Sequence, residues 1–218
     1  MTDDVQRVSA GIVEQGLALG ATAVGIATPP NGTTALVVLT LAHPEDEPHL
    51  DYWGVPGGTA GNRRQKQMLD NLAAWLRAEH DVEAQPLPYQ LEQGGTLLKD
   101  AAALAGLGVI GDNNLLITPE LGPRVRLRAL AVDAPLSPTE PTDFDPCADC
   151  ARPCLAACPQ DAFASGKYDR TRCQQQMTLD ESKRRVRDCG GKARSVIAYC
   201  RACELSCVVD RGLSAVAR

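Results

Sequence analysis

Aromatic and histidine side chains are scarce in this chain of 218 residues. Phe, Trp and Tyr together make up 4% of the sequence, so we expect a core of Ala, Leu and Val rather than of rings. The three histidines, His43, His49 and His80, stand alone, and no HxxxH, HExxH or DxHxxG pattern occurs. Since no Ser-His-Asp signature is visible either, the sequence shows no apparatus for hydrolysis and no histidine-held metal ion.

Long apolar runs and long blocks of Lys or Arg are also missing. No stretch approaches the roughly 18 apolar residues of a membrane-spanning helix, and the N-terminal MTDDVQRVSA is not the apolar segment of a signal peptide. The formal net charge is −5, which argues against nucleic acid as the main partner. We therefore expect a soluble, cytoplasmic protein that binds neither membranes nor nucleic acid.

What the sequence does contain is nine cysteines, eight of them in an ordered pattern within its last third. A first run, C-x2-C-x3-C-x3-C-P, comprises Cys147, Cys150, Cys154 and Cys158; Cys173 follows alone; a second run, C-x2-C-x3-C, comprises Cys200, Cys203 and Cys207. In a reducing compartment, an odd number of cysteines is a poor disulfide framework. Iron–sulfur clusters are held by such thiolate runs and move single electrons. The pattern therefore predicts redox chemistry.

Zinc is the alternative ligand for these cysteines, because paired CxxC motifs also form four-thiolate zinc sites. The compact first run, the proline after it and the second run about forty residues later favour two [4Fe–4S] clusters. In two-cluster ferredoxins each run lends its last ligand to the other cluster. This exchange assigns Cys147, Cys150, Cys154 and Cys207 to cluster 1, and Cys158, Cys173, Cys200 and Cys203 to cluster 2, with Cys189 left over.

Apolar periodicity predicts an α+β protein with two domains. Helices are predicted over Asp4–Leu19, Gly61–His80 and Thr96–Leu104, and from a capping box at Thr178–Glu181 through about Arg187; strands are predicted over Thr22–Ala27, Ala35–Leu41, Leu115–Ile117 and Arg124–Val132, the first two joined by a turn at Pro29–Gly32. We expect an α/β cofactor-binding domain over residues 1–140 and a ferredoxin-like cluster domain over residues 141–218. The second has few large apolar side chains, so cluster binding should contribute much of its stability.

Three further features are candidates for a cofactor site. Gly106, Gly108 and Gly111 formally satisfy the dinucleotide motif GxGxxG, but a helical pattern precedes them, which favours a helix C-cap and a tight turn. Arg124, Arg126 and Arg128 alternate on a predicted strand, either as a solvated face with acidic partners or as a seat for an anionic ligand. Glu92, just before Gly94–Gly95, is either a solvated carboxylate or a proton donor.

Taken together, AGLGVIGDNNLLI over residues 105–117, DRTRC over residues 169–173 and the two cysteine runs resemble the epoxyqueuosine reductase family. That resemblance implies cobalamin-dependent reductases with two [4Fe–4S] clusters, related to reductive dehalogenases, and a flavin-reductase-like, corrinoid-binding α/β domain ahead of the clusters. It implies that Gly106, Gly108, Gly111 and Asn113 contribute to the cofactor site. It also places Glu92 at about the position of the family's proton-donating aspartate.

The chain departs from the family pattern at several points. Asp112 follows the glycine turn where the family usually has Lys, and one extra residue separates Cys150 from Cys154. Val208 rather than Pro follows Cys207, and the chain ends at Arg218 where longer members continue into helical repeats that grip tRNA. We therefore expect a short form without these tRNA-binding repeats.

Three functions follow as hypotheses. The leading one is a reductase in which an external donor such as ferredoxin or flavodoxin feeds electrons through both clusters to cobalamin, which reduces a small substrate. The second is an electron-transfer or reductive-activation partner of another protein, with no substrate of its own. The third places FMN rather than a corrinoid in the N-terminal domain. Fold relatives are often dimers, so a homodimer is also expected.

Overall fold

The computed structural model describes residues 2–28 and 34–209. The helices are α1 (Thr2–Ala18), α2 (Ala60–His80), α3 (Leu98–Leu104), α4 (Pro153–Ala156), α5 (Arg170–Ser182) and α6 (Ala202–Leu205). The strands are β1 (Ala23–Ala27), β2 (Ala35–Ala42), β3 (Tyr52–Trp53), β4 (Ala84–Pro86), β5 (Val109–Ile110), β6 (Leu116–Ile117), β7 (Val125–Val132), β8 (Arg185–Asp188) and β9 (Ala193–Ala198). Two short 3-10 helices lie at Pro48–Asp51 and Leu91–Gln93. The turn predicted at Pro29–Gly32 lies outside the described residues.

The chain forms two compact units, each assembled from three segments. The first comprises Met1–Ala42, Arg64–Ile110 and Val125–Phe144, and the second comprises His43–Arg63, Gly111–Arg124 and Asp145–Arg218. All eight cysteines of the predicted clusters therefore belong to the second unit, together with two segments from earlier in the chain. The expected division into one domain over residues 1–140 and another over residues 141–218 stays a prediction.

The first unit contains a four-stranded antiparallel sheet in the order β1-β2-β7-β4. β2 is central and almost entirely apolar because both of its faces are covered. Val24 of β1 packs against Gly16 of α1, whereas the next residue, Gly25, lies against Ala105 just after α3. Successive strand residues point to opposite faces, so α1 and α3 cover opposite sides of the sheet.

The hydrophobic core of the first unit lies between this sheet and the helices α1 and α2. Its largest fully buried side chains include Ile12 of α1, Leu72 and Leu76 of α2, and Leu39 of β2. Few aromatic rings take part, as the composition predicted; Trp75 packs at the margin of the core. The antiparallel sheet also agrees with reading Gly106–Gly111 as a turn, since a dinucleotide fold needs parallel βαβ units.

The second unit contains a three-stranded antiparallel sheet in the order β3-β9-β8 and three helices that carry cysteines. The short helices α4 and α6 pack against each other, and α5 packs against β9. One sequence prediction for this unit is wrong. The helix expected to begin at Thr178 begins at Arg170, where Asp169 caps it by accepting hydrogen bonds from the N–H groups of Thr171 and Arg172. The helix ends at Ser182, and Arg185–Asp188 forms a strand.

In the part of the chain that the structure describes, no helix is long and apolar enough to cross a membrane.

Candidate metal centres

Four cysteine thiols from both runs lie close together in the second unit: Cys147, Cys150, Cys154 and Cys207. Burial is the main cause that raises the pKa of the Cys154 thiol, and charge on Cys207, Cys147 and Cys150 raises it further. Burial likewise raises the pKa of Cys147, and Cys150 and Cys207 add to that shift. Cys154 and Cys207 are buried. These are the four residues assigned to cluster 1.

The remaining four thiols form a second group: Cys158, Cys173, Cys200 and Cys203. Burial raises the pKa of Cys203 to about 12, and Cys200, Cys173 and Cys158 contribute through their charges. Burial also raises the pKa of Cys200, to which Cys158 and Cys173 add. The group combines the last cysteine of the first run, the lone cysteine and the first two of the second run. These are the four residues assigned to cluster 2.

The short helices explain how each run serves both groups. Cys154 lies in α4, and Cys158 follows that helix. Cys203 lies in α6, and Cys207 follows that helix. α4 packs against α6. Cys154 of α4 therefore lies near Cys207, which follows α6, and Cys203 of α6 lies near Cys158, which follows α4. Cys173 comes from the first turn of α5, whose position Asp169 fixes as the N-cap.

Backbone N–H groups point at three of the sulfur atoms. The N–H of Arg152 donates to Cys150 Sγ at 3.3 Å, that of Ala162 to Cys158 Sγ at 3.4 Å and that of Ala202 to Cys200 Sγ at 3.5 Å. Such donors stabilise negative charge on sulfur and are among the factors that set cluster potentials. Among the described residues, no three His, Cys, Asp or Glu side chains converge closely enough to hold one metal ion. A cubane binds its thiolates at four separate iron corners.

The segment after the glycine turn supports the cysteine runs. The Asn113 side chain is buried; its amide donates to the carbonyl of Cys203 at 3.4 Å, and its oxygen accepts from the N–H of Leu115 at 3.2 Å. Asp112 forms an ion pair with Arg152, which lies between Cys150 and Cys154 in a left-handed conformation with φ 53°. Asp112, which follows the glycine turn, therefore contacts the first cysteine run.

Arg124 also binds the second cysteine run. Its guanidinium is buried and donates to the carbonyls of Cys207 at 3.1 Å, Val209 at 2.9 Å and Leu205 at 3.4 Å. The residue precedes β7 rather than lying in it. A planar fork with several donors suits this cluster of carbonyl acceptors. The sequence left open a solvated face or an anionic ligand for Arg124; its partners in the structure include these backbone oxygens beside a cysteine, and the ligand-binding role stays a prediction.

The other two arginines of the candidate anion-binding site, Arg126 and Arg128, lie on β7. Arg128 is buried beneath the exposed ring of Tyr89, with its Cζ 4.5 Å from the ring centroid, and burial lowers its pKa. Both arginines also donate to main-chain carbonyls next to them, Arg126 to Val125 and Arg128 to Leu127. A cation under an aromatic ring is a stabilising arrangement. Arg128 therefore supports the segment that carries Tyr89.

The three glycines of the formal GxGxxG motif are explained by backbone packing. α3 ends at Leu104, and Gly106, with φ 70°, closes the turn through its N–H to the carbonyl of Ala103. This confirms the C-cap interpretation. A Cβ on Gly106 would lie 2.1 Å from the carbonyl oxygen of Glu140, and one on Gly111 would lie 2.2 Å from Ile117 Cδ1. Gly108 also has a positive φ, at 155°.

Glu92 lies on the surface, in a compact segment of the first unit. It belongs to the 3-10 helix Leu91–Gln93, which ends at Gly94 in a left-handed conformation. The side chains of Tyr89, Leu91 and Leu97 around it are 58%, 50% and 56% exposed. Large exposed apolar side chains are typical of a face that binds another molecule when they form one patch, so residues 89–97 are a candidate for such a face.

A buried ionic network at the second cysteine run was missed by sequence reasoning. Arg201, between Cys200 and Cys203, contacts Asp51 at 3.3 Å and Glu204, and donates to the carbonyl of His43 at 2.6 Å. The His43 imidazole is 1% exposed and lies 2.9 Å from Asp51 through Nδ1. Asp51 and His43 are about 150 residues from Arg201 in the chain, so no local pattern could have joined them. The sequence feature that could have indicated this network was the pair of charged residues, Arg201 and Glu204, within a cysteine run.

Cys189, the cysteine left over by the assignment, lies in the turn between β8 and β9. Its N–H donates to the carbonyl of Lys192 at 2.9 Å. It contributes to the pKa shift of none of Cys147, Cys154, Cys200 and Cys203. It therefore offers a natural control for substitutions of the other eight.

Comparison with known proteins places these features in context. No protein-family model matches the chain. The epoxyqueuosine reductase of Cyclobacterium marinum is 33% identical over 111 residues, which cover 50% of this chain and 36% of that protein. That of Staphylococcus aureus is 27% identical over 179 residues, covering 74% of this chain and 45% of the relative. The chain thus spans less than half the length of these curated relatives.

Solved structures show the same fold. The epoxyqueuosine reductase of Bacillus subtilis superposes with a TM-score of 0.69 at 18% identity, over 94% of this chain and 66% of that one. A reductive dehalogenase, described with a mechanism for B12-dependent dehalogenation, superposes with a TM-score of 0.58 at 22% identity, over 72% of this chain and 25% of that one. At these identities the likeness shows the mixed helix-and-sheet fold alone.

Proposed function

The chain is a relative of the epoxyqueuosine reductases, as its motifs predicted, and from this premise we propose that it is an iron–sulfur reductase. Electrons would pass through two [4Fe–4S] clusters to a corrinoid, which reduces a small substrate. The observation that supports this most strongly is the gathering of eight thiols into two groups of four, each drawn from both cysteine runs.

The donor sets fit two cubane clusters. Cys147, Cys150, Cys154 and Cys207 would hold the first, and Cys158, Cys173, Cys200 and Cys203 the second. Each group has the four thiolates that a cubane needs, and backbone N–H groups stabilise charge on sulfur in both. Because burial favours the neutral thiols, the ligands would release protons as the metal binds.

The segment around Glu92 fits a corrinoid better than the glycines and arginines do. Its exposed ring and leucines offer an apolar surface to a large flat macrocycle, whereas Gly106, Gly111, Asn113 and Arg124 are occupied by packing and by carbonyls. A bound corrinoid would supply a strongly nucleophilic low-valent metal for two-electron reduction. We therefore place the cofactor face on residues 89–97.

Within this face, Glu92 is the proton donor we propose. Its carboxyl group is exposed and can be reprotonated from solvent after each turnover. Arg128 acts from below by holding the Tyr89 ring, and so orients the segment that carries Glu92. Gly95 is packed against the carbonyls of Pro88 and Gln90, which keeps the segment compact. A carboxylate on a compact segment delivers its proton to a defined position.

The test is an anaerobic titration of the iron- and sulfide-reconstituted protein with cob(II)alamin, followed by EPR. A base-off cobalt signal that saturates near one equivalent is the expected result. Glu92→Gln should retain that signal and lose most substrate reduction, while Glu79→Gln, an exposed carboxylate on α2, should behave as wild type. An unchanged cobalt signal beside reducible clusters would contradict the corrinoid reductase.

Electron transfer to a partner protein is the second candidate function. The exposure of Cys200, a ligand of the second group, favours it because electrons can enter or leave at the surface. Reduction of another protein without any small-molecule turnover would support it, and stand-alone activity would exclude it. A yellow, releasable cofactor in the purified protein would instead support FMN on the first unit.

A further inference from the structure

We propose that the basic face of the β8–β9 hairpin is the docking surface for an acidic electron-donor protein, which delivers electrons at the thiol group containing Cys200. We define the basic face as Lys183, Arg185, Arg187 and Arg194. The proposal rests on the iron–sulfur function proposed above and adds to it the chemistry of the donor and its point of entry. Three observations support it: the strand register, the excess of positive charge on the hairpin and the path from the hairpin to Cys200.

The strand register gathers the arginines on one side of the sheet. β8 pairs with β9 so that Arg185 lies opposite Val196 and Arg187 opposite Arg194. Residues directly opposite each other in an antiparallel pair point to the same face, as do residues two apart in one strand. Arg185, Arg187 and Arg194 therefore share one face. No long basic block is visible in the sequence because alternation spreads these charges along the chain.

The segment that carries this face is strongly cationic. Between Lys183 and Arg194 the chain carries six cationic side chains and one carboxylate, although its net charge is −5. In the described residues, no carboxylate forms an ion pair with any member of the basic face. Arg187 and Arg194 are like charges directly opposite each other on two strands, an arrangement that is destabilising. An acidic partner would relieve that repulsion.

A cavity of about 220 Å³ adjoins these charges within the second unit. Its lining comprises Pro48, Tyr52, Asp180, Lys183, Arg185, Arg187, Val196 and Ala198. Asp180 is itself engaged, accepting from the Gln176 amide and from the N–H of Cys200 at 2.8 Å each. The cavity thus offers an apolar floor under a cationic rim, which suits an acidic side chain of a docked protein.

The hairpin leads directly to a predicted cluster ligand. β9 ends at Ala198, which lines the cavity, and Cys200 is two residues further on. Tyr199 donates from its hydroxyl to Glu181 at 2.8 Å, and Asp180 holds the N–H of Cys200, so α5 fixes the end of the strand. Of the nine cysteines, all of them within the described residues, Cys200 is the one that is exposed. A protein docked on the basic face would therefore lie beside the second cluster.

The observations favour a protein donor over RNA. An RNA backbone needs an extended cationic track, and the basic face is a short patch on a chain with a net charge of −5. A small acidic redox protein needs only such a patch for electrostatic steering. The step transfers one electron and breaks no bond: the donor is oxidised by one electron and the cluster is reduced by one.

The test measures reduction of the reconstituted full chain by fully reduced flavodoxin, an acidic donor, in anaerobic stopped-flow experiments over a range of salt concentrations. Arg187→Gln/Arg194→Gln removes two charges from the basic face. Arg7→Gln/Lys66→Gln removes two exposed charges from the first unit and matches the change in net charge. Dithionite should reduce all three proteins to the same extent, which verifies intact clusters.

We expect the hairpin variant to be reduced about tenfold more slowly than wild type at low salt, with a flatter salt dependence. The control variant should retain the wild-type rate. Equal rates and equal salt dependence in both variants would overturn the proposal. So would loss of affinity for a labelled RNA stem-loop in the hairpin variant with unchanged reduction by flavodoxin, since the face would then be an RNA surface. If dithionite reduces no cluster in wild type, the iron–sulfur function fails first and the docking surface with it.

Discussion

At the scale of single residues, Arg124 shows how one side chain can hold the backbone of a cysteine run in place. Its guanidinium binds the carbonyls of Leu205, Cys207 and Val209. Arg124→Met keeps much of the volume but removes the donor from the buried carbonyl of Cys207 and from two partly buried carbonyls, which should lower the free energy of unfolding by about 2–4 kcal/mol. Chemical denaturation of the cluster-loaded protein measures this. Lys167→Met, the same kind of change at an exposed site, should cost less than about 0.5 kcal/mol, and an equal loss in both variants would argue against the carbonyl contacts.

The grouping of the thiols makes a second prediction at this scale. Cys154→Ser should abolish the first cluster and leave the second, because all four ligands of the second group remain. Iron analysis should fall from about eight to about four atoms per chain, and EPR of the reduced protein should lose the interaction between two clusters. Cys189→Ser should keep the full iron content. Loss of iron in the Cys189 variant would mean that the assignment of the leftover cysteine is wrong.

At the scale of elements, the end of α3 depends on Gly106. Its φ of 70° belongs to the left-handed region, and a Cβ there would meet the carbonyl oxygen of Glu140 at 2.1 Å. Gly106→Ala should therefore lower the free energy of unfolding by roughly 2–4 kcal/mol, of which about 1 is conformational and the rest comes from the displaced carbonyl. Thermal unfolding measures the loss. Gly166→Ala is the matched control, since Gly166 has φ 78° and nothing within 4 Å of the added methyl.

Elements differ in how far the sequence alone predicts them. Strong apolar periodicity placed α1, α2, β2 and β7 within a few residues, and the glycine after α3 marked its end. The pattern at Thr178–Glu181 misled because a capping box also occurs by chance inside a helix, whereas Asp169 provides the real cap. β8 was missed because its side chains are all exposed and show no apolar alternation.

The candidate site was predictable only where a known spacing pattern marks its members. Cysteine spacing predicted which thiols should meet, because ligand exchange follows from the short helix within each run. The partners of Arg124, Asn113 and Arg201 depend on long-range packing, which cannot be deduced from a single sequence. The contacts of Asn113 and Arg124 with the second cysteine run were therefore not predicted, and their cofactor roles stay predictions.

At the scale of the whole molecule, the two units draw their stability from different sources. The first has a core of aliphatic side chains from α1, α2 and the four-stranded sheet. The second has few large buried apolar groups, and its largest helix, α5, has no buried residue. Thiolates bound to metal would supply the cross-links that such a unit lacks, so we expect metal binding to contribute most of its folding free energy.

Removal of the metal should therefore unfold one unit and spare the other. After anaerobic iron chelation, hydrogen exchange should show lost protection in α4, α5 and α6, while β2 and β7 keep theirs. The cluster-loaded protein should resist exchange in both sets of elements. Heating the metal-free protein should give a single unfolding transition from the sheet of the first unit. Undiminished protection in α5 without metal would contradict the prediction, because the second unit would then hold its fold through side-chain packing alone.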